Sequence, residues 1–381
     1  MAKIDQLFQK MVELGASDLH LTTGAKPLLR LHGKMTPLGD SILTPQETQS
    51  LLFEILTEKQ KKEFVRDWEL DCAYSLEGVG RFRVNIFMQR KGLGAVFRTI
   101  PVEILSAEKL GLPPQILNLT KEHKGLIVVT GPTGSGKSTT LAAMIDYINK
   151  NESAHILTVE DPVEFVHENQ KSLVNQREVG SHTKSFANAL KAALREDPDI
   201  ILVGEMRDLE TISLAMTAAE TGHLVFGTLH TNNAAKTVDR IIDVFPQEQQ
   251  AQIRVMLSES LKAVVAQGLL PTADGKGRCA AIEILVNTHA VGNLIREGKT
   301  FQIPSIMQTS SGKGMITFEN NIRDLVRSGK ISLETGNAFL GKKEETPEAP
   351  SRPDPLNKPT ISADDKKLGL SSIANRLKKN G

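Results

Sequence analysis

The segment with the clearest chemical meaning in this chain runs from Gly131 to Ser138 and fits G-x-x-x-x-G-K-[ST]. Its glycines let backbone N–H groups surround phosphate oxygens, and the next helix points its positive end at them. We expect Lys137 to reach the β- and γ-phosphates of ATP and the Ser138 hydroxyl to ligate Mg²⁺. The strand before and the helix after argue against a chance glycine-rich turn. The predicted phosphate-binding residues are Gly131, Pro132, Thr133, Gly134, Ser135, Gly136, Lys137, Ser138 and Thr139.

Acidic side chains follow two apolar segments, within Ile156 to Glu164 and Ile200 to Asp208. Ligands in open α/β sheets bind beyond the carboxyl ends of the strands, so both acidic sets are expected near the phosphate loop. The second segment resembles a Walker B element in which Gly204 replaces the usual Asp. Glu205 is therefore the predicted acid and Mg²⁺ ligand, and Glu164 is a second catalytic candidate. Acids that only cap the following helices are the competing interpretation.

Two histidines, His223 and His230, flank a predicted strand. Neither has a cysteine or another histidine at ligand spacing, which argues against zinc. His230, at the end of the strand, is a candidate γ-phosphate sensor. The residues alone leave this role and that of an ordinary surface histidine equally open.

Composition excludes several classes of protein. The 381 residues include 46 Lys and Arg against 45 Asp and Glu, and only 4% are aromatic, so a nucleic-acid translocase with basic, aromatic loops is not favoured. Two cysteines, Cys72 and Cys279, cannot form a disulfide framework or a four-thiolate zinc site. The apolar runs are too short to span a membrane and the N-terminus lacks a signal sequence. We therefore expect a cytoplasmic protein without membrane insertion.

The chain divides by pattern into four parts. Residues 1–100 are predicted to form an α+β domain and residues 101–111 a linker. Residues 112–340 alternate strands and helices, which predicts an α/β domain with a parallel sheet; one helix is expected over Gln247 to Val265. Residues 341–381 are rich in proline and charge, which predicts a flexible, disordered tail. Within it, a short basic helix is expected to present Leu370, Ile373, Ala374 and Leu377 on one face.

Together these motifs resemble the type II/IV secretion ATPases and, within them, the retraction ATPases of type IV pili. The resemblance covers about residues 1–340. It depends on Gly15 to Leu21, the Walker A segment, the Asp box Ile156 to Phe165, the Walker B segment Asp199 to Asp208, the His box Thr221 to Thr231 and Ile303 to Thr309. One departure lies in Ala290 to Glu297, where Gly292 replaces an arginine of the family's pattern.

The resemblance implies an α/β fold with a PAS-like N-terminal α+β domain and a RecA-like P-loop ATPase domain. It also implies that Glu164 and Glu205 activate water and coordinate metal, and that His230 senses phosphate. Arg83 and Arg98 of the first domain resemble arginines that close onto the nucleotide, where they would neutralise γ-phosphate charge. Strand arginines that meet only solvent are the alternative.

The function implied is a homohexameric ATPase that powers pilus retraction and twitching motility. Its expected place is the cytoplasmic face of the inner membrane, at the pilus base. An inner-membrane pilus platform protein and an accessory retraction ATPase are the expected partners, and nucleic acid is not. The alternatives are an accessory retraction ATPase, a pilus extension or secretion ATPase and, from another class, a nucleic-acid translocase.

Overall fold

Two β-sheets organise the chain, whose computed structural model describes residues 2–31, 33–100 and 103–341. The predicted tail beyond residue 341, with its basic helix, lies outside the described residues, as do positions 101 and 102 of the predicted linker. The described residues contain no helix that is long and apolar enough to cross a membrane.

The first sheet is antiparallel throughout and has the order β3-β2-β1-β6-β5-β4. Its strands are β1 (Asp18–Thr22), β2 (Leu28–Leu31), β3 (Lys34–Pro37), β4 (Glu69–Leu76), β5 (Gly80–Gln89) and β6 (Gly92–Ile100). Its helices are α1 (Asp5–Glu13), α2 (Pro45–Phe53) and α3 (Glu58–Asp67). The predicted α+β fold of this region is confirmed.

Alternation along β5 decides which of its side chains are buried. Phe82, Val84 and Ile86 are fully buried, and the Phe8 ring of α1 stacks on Phe82 with centroids 4.4 Å apart. Because successive side chains of a strand point to opposite faces, Arg81 and Arg83 lie on the other face, away from this core. That face carries the charged residues discussed below.

The second sheet has the order β13-β12-β7-β11-β10-β8-β9. Its strands are β7 (Gly125–Thr130), β8 (His155–Glu160), β9 (Leu173–Glu178), β10 (Ile200–Val203), β11 (Leu224–Leu229), β12 (Leu261–Pro271) and β13 (Arg278–Val286). β13 pairs antiparallel with β12, and the other strand pairs are parallel. Every residue of β7 and β11 is buried, as expected of parallel strands covered on both faces.

Helices cover this sheet, as predicted for an α/β fold. The helices of this part of the chain are α4 (Pro114–Leu119), α5 (Lys137–Asn151), α6 (Phe186–Ala193), α7 (Leu209–Glu220), α8 (Ala234–Asp243), α9 (Gln247–Ser260), α10 (His289–Arg296), α11 (Ile303–Thr309), α12 (Phe318–Arg327) and α13 (Leu333–Phe339). Short 3₁₀ turns occupy Thr300–Gln302 and Ser311–Lys313.

The helix predicted over Gln247 to Val265 is wrong in its last turn. The helix ends at Ser260, and Leu261 begins β12. This short run is apolar apart from Lys262, so it has no period that distinguishes a buried strand from a buried helix. This segment forms a strand because pairing with β7 on one side and β13 on the other provides hydrogen-bond partners for its buried backbone N–H and C=O groups.

Candidate active site

The phosphate loop joins β7 to α5, and its glycines adopt conformations that other residues avoid. Gly134 and Gly136 have φ angles of 79° and 88°, in the left-handed region that glycine enters without steric cost. The chain thereby turns sharply and α5 begins at Lys137, with its N-terminal end at the loop. The Lys137 ammonium donates to the carbonyl oxygens of Gly131 and Pro132 at 2.9 and 3.2 Å.

Gln267 of β12 supports this loop and was not found by sequence reasoning. Its side-chain amide donates to the Ser135 carbonyl at 2.8 Å and accepts from the Thr140 hydroxyl at 2.8 Å. A Cβ on Gly131 would lie 2.2 Å from the backbone carbonyl oxygen of Gln267, so only glycine fits at position 131. The available signal was one amide in the middle of an apolar run, since a buried amide needs hydrogen-bond partners.

The loop offers groups that suit a phosphate. The Ser135 hydroxyl is buried and has no hydrogen-bond partner, and Lys137 is 9% exposed. Burial lowers the pKa of Lys137, while the charges of Glu205 and Glu164 oppose that shift. An unpartnered hydroxyl, a desolvated ammonium and a helix N-terminus together form a site for an anion.

Glu205 and His230 meet beside the loop. The His230 Nε2 atom lies 3.1 Å from a Glu205 carboxylate oxygen, and its Nδ1 lies 3.5 Å from the Lys137 Nζ. The Arg207 guanidinium contacts the same Glu205 oxygen at 2.6 Å. Burial acts to raise the pKa of Glu205, but Arg207 and His230 lower it overall. The structure therefore brings together Lys137, Glu205 and His230, which were all predicted from the sequence. It adds Arg207, which sequence reasoning missed.

The Asp box comprises most of β8 and the loop after it, and this loop places Glu164 at the same edge of the sheet. Glu160 accepts hydrogen bonds from the Thr158 hydroxyl at 2.7 Å and from the Glu164 backbone N–H at 3.4 Å. Burial raises the pKa of the Glu160 carboxyl. Glu164 itself is exposed, and its charge acts on both Lys137 and Arg83. Of the two acids, Glu164 is the one free to face a ligand.

Close packing explains why Gly204 departs from the usual Walker B pattern. A Cβ at this position would lie 3.2 Å from both the Glu160 Cα and the Val159 carbonyl oxygen. The Gly204 carbonyl also accepts a hydrogen bond from the Thr228 hydroxyl. An aspartate would therefore need the backbone of β8 to shift by a few tenths of an ångström, and the acid is provided one position later, by Glu205.

Arg83 and Arg98 lie opposite each other on neighbouring strands β5 and β6. The Arg83 guanidinium pairs with Asp71 at 2.6 Å, and this hydrogen bond, with the charges of Asp71, Glu164 and Asp161, raises its pKa against the effect of burial. Arg98 pairs with the buried Asp18 at 2.9 Å. Arg83 is thus within the field of the Asp-box acids, whereas the contacts of Arg98 hold it to its own sheet.

His223 is not part of this cluster. It precedes β11, whereas His230 follows it, so the two histidines lie at opposite ends of the strand. The His223 ring contacts the Ala218 carbonyl at 2.9 Å, next to the C-terminus of α7. Its role is to close that helix.

His167, which is buried and follows the Asp box, should make the stability of the fold depend on pH. Its side chain lies beside α5, its Nδ1 has no hydrogen-bond partner, and burial lowers its pKa from 6.5 to about 4. The unfolded chain binds this proton more readily, so stability falls as pH drops from 6.5 towards 4. Between pH 7.5 and pH 5 we expect a loss of about 2 kcal/mol in the free energy of unfolding.

Urea denaturation at the two pH values measures this loss. The variant His167→Gln should show a correspondingly smaller change with pH, whereas His123→Gln, at an exposed position, should behave as the wild type. An equal pH dependence in His167→Gln and wild type would contradict the assignment.

Comparison with known proteins places this geometry in context. A family model for type II/IV secretion system proteins matches residues 1–336. The type IV pilus retraction ATPase PilT of Pseudomonas aeruginosa is 53% identical over 331 residues, covering 87% of this chain and 96% of that protein. The type IV pilus ATPase PilU of the same organism is 43% identical over 332 residues, covering 87% of each. A crystal structure of the pilus retraction motor PilT with bound ADP superposes with a TM-score of 0.83 at 49% identity, covering 93% of this chain and 98% of that one.

Proposed function

Because this chain belongs to the type II/IV secretion system protein family, we propose that it is the ATP-driven motor for retraction of type IV pili. The chain is an ATPase and binds nucleotide, as indicated by its similarity to PilT and to the ADP-bound structure of PilT. The observation that carries the proposal is the continuous contact from Lys137 through His230 to Glu205, directly beside the phosphate loop.

The loop residues Gly131 to Thr139 hold the triphosphate of ATP in this proposal. Lys137 exchanges its contacts with the loop carbonyls for the β- and γ-phosphates, and His230 meets the γ-phosphate. Both donors are in place before the phosphate charge shifts during transfer, so little reorganisation is needed at that moment.

Mg²⁺ would be held by the Ser138 hydroxyl and Glu205, with phosphate oxygens completing its ligands. No group of three or more His, Cys, Asp or Glu that could hold a metal occurs in the described part of the chain. A Mg²⁺ ion held there would neutralise negative charge on the phosphates. Glu205 and Glu164 are the carboxylates that orient and activate water, and the lowered pKa keeps Glu205 ionised at neutral pH.

The arginines of the N-terminal region complete the site in our proposal. When ATP is bound, Arg83 and Arg98 close onto the γ-phosphate, and after hydrolysis the clamp reopens. Arg83 has to exchange its pairing with Asp71 for this contact, and Arg98 its pairing with Asp18. In a ring, each closure would rotate a neighbouring subunit and so drive the pilus platform.

Replacement of both arginines by alanine is expected to reduce turnover more than it weakens ATP binding, since the phosphate loop still anchors the nucleotide. Losing a charge-assisted contact worth roughly 1.5–3 kcal/mol corresponds to a decrease in kcat of about ten- to a hundred-fold. Steady-state kinetics and equilibrium nucleotide binding measure the two effects.

The matched control is Arg66→Ala, which removes an exposed arginine whose partner is the neighbouring Asp67. It should leave both constants unchanged. An Arg83→Ala, Arg98→Ala double variant with wild-type kcat would eliminate the clamp.

We extend the proposal to assembly and place. The motor is a homohexamer at the cytoplasmic face of the inner membrane that acts on a pilus platform protein, and an accessory retraction ATPase can join it. The division into residues 1–100, a linker at 101–111, an ATPase domain at 112–340 and a tail at 341–381 belongs to the same proposal. The two sheets fall on either side of that linker, which supports it.

A deletion strain tests the function. Hyperpiliated cells that do not twitch are expected of a missing retraction motor, whereas bald cells would indicate an extension motor. The accessory role is the second candidate, because PilU is 43% identical to this chain. Retraction restored by the Glu205→Gln variant, with the other retraction ATPase active, would favour that accessory role.

A further inference from the structure

Glu178, the last residue of β9, joins the N-terminal sheet to the Asp box. One of its carboxylate oxygens accepts from the Arg81 guanidinium of β5 at 2.6 Å and from the Val163 backbone N–H at 3.2 Å. The other accepts from the Ser181 hydroxyl at 2.9 Å. Its side chain is 6% exposed and that of Arg81 is 21% exposed. A buried carboxylate with these partners has little freedom to move.

The backbone that Glu178 holds is the one that carries Glu164. Glu160 and Glu178 are neighbours at the ends of the parallel strands β8 and β9. Glu178 binds the N–H of Val163, and Glu160 binds the next N–H, that of Glu164, at 3.4 Å. Two adjacent carboxylates therefore hold two consecutive peptide units, and these set the direction in which the Glu164 side chain leaves the backbone.

A cleft of about 230 Å³ separates the N-terminal region from this segment, and Asp71, Asp161, Pro162 and Glu178 are among its lining residues. Two hydrogen bonds between described residues cross beside it. Arg81 of β5 donates to Glu178, and the Lys59 ammonium of α3 donates to the Gly180 carbonyl at 2.9 Å. Of these two links, the first reaches the peptide units before Glu164.

We propose that Arg81 and Glu178 are positioning residues that set the orientation of Glu164 according to where the N-terminal sheet lies. This inference depends on the proposed role of Glu164 in hydrolysis. A shift of the N-terminal sheet would move Arg81, and with it the carboxylate that holds the Val163 peptide. Hydrolysis would thereby respond to domain position through a hydrogen-bonded path that does not touch the nucleotide.

Kinetics of Arg81→Met, Glu178→Gln and the double variant test the path. Each single variant should lower kcat about five- to tenfold, with KM for ATP and the Kd for ADP within twofold of wild type. Because both residues act in one path, the double variant should lose no more than either single variant. Arg81→Lys keeps the buried charge paired and should restore most of kcat, which also covers the case that Arg81→Met folds poorly.

Two controls separate positioning from general damage. Arg177→Met removes an ion pair of the same strand, to Glu196 at 2.9 Å, and Lys59→Met removes the other link. Both should keep kcat within twofold of wild type. An equal loss of kcat in Lys59→Met, or unchanged kcat in Arg81→Met and Glu178→Gln, overturns the inference.

Glu164→Gln, measured in parallel, distinguishes the inference from its premise. If Glu164→Gln is inactive while the Arg81 and Glu178 variants turn over normally, only the positioning path fails. If Glu164→Gln turns over normally, the proposed role of Glu164 fails as well.

Discussion

Replacing Lys137 with alanine is expected to abolish measurable ATP hydrolysis, a loss of at least about a hundred-fold in kcat, as is typical when a preorganised transition-state donor is removed. The ammonium is desolvated against the loop, and the charges of Glu205 and Glu164 act on it. The fold should persist, because the side chain contacts loop carbonyls and not the apolar core.

Lys150→Ala is the matched control. This lysine lies on the same helix and pairs with Asp146 at 2.6 Å, at the end remote from the loop. It should retain wild-type turnover. Turnover by Lys137→Ala at the wild-type rate, measured as phosphate release, would refute the assignment of the loop.

The second large effect is expected for Glu205→Gln. The amide keeps the shape of the side chain but removes the charge that the structure surrounds with Arg207, His230 and Lys137. ATP should still bind through the loop, while kcat falls by about a hundred-fold or more, because the carboxylate can no longer attract water or metal.

The control for this variant is Glu210→Gln, which changes an exposed glutamate that pairs with Lys191. It should leave kcat unchanged. Glu205→Gln that neither folds nor binds ATP would show that Glu205 is structural. Since the pKa of Glu205 is already below its ordinary value of 4.5, acidification from pH 8 to pH 6 should not by itself protonate this residue.

The parts of the site that sequence reasoning found are those encoded locally. The phosphate loop is one contiguous motif, and Glu164, Glu205 and His230 each lie within four positions of the end of a buried strand. Parallel strands bring their carboxyl ends to one edge, so local pattern is enough to predict that these residues meet. The structure shows Glu205 and His230 in contact, and the charges of both acids acting on Lys137.

Two of the residues that sequence reasoning missed, Gln267 and Glu178, act across strands. Gln267 lies two positions beyond the helix predicted over Gln247 to Val265, and only the pairing of β12 with β7 places it beside the loop. Glu178 looks like any charged strand end until β9 is known to lie beside β8 and the N-terminal sheet to approach it. The sequence shows that Gly204 departs from the Walker B pattern. The reason for the glycine is its short distance to Glu160 on β8, which the sequence does not show.

The support of the phosphate loop by β12 has a consequence for how the chain is made. Ser135 and its partner Gln267 are 132 positions apart, so the motif leaves the ribosome long before the strand that holds it. Closing so long a loop is slow, and native contacts of this range form late in folding. We therefore expect nucleotide to stabilise the nascent chain only after β12 has been made. A fragment that ends before Leu261 would carry the whole motif and still lack a formed binding site.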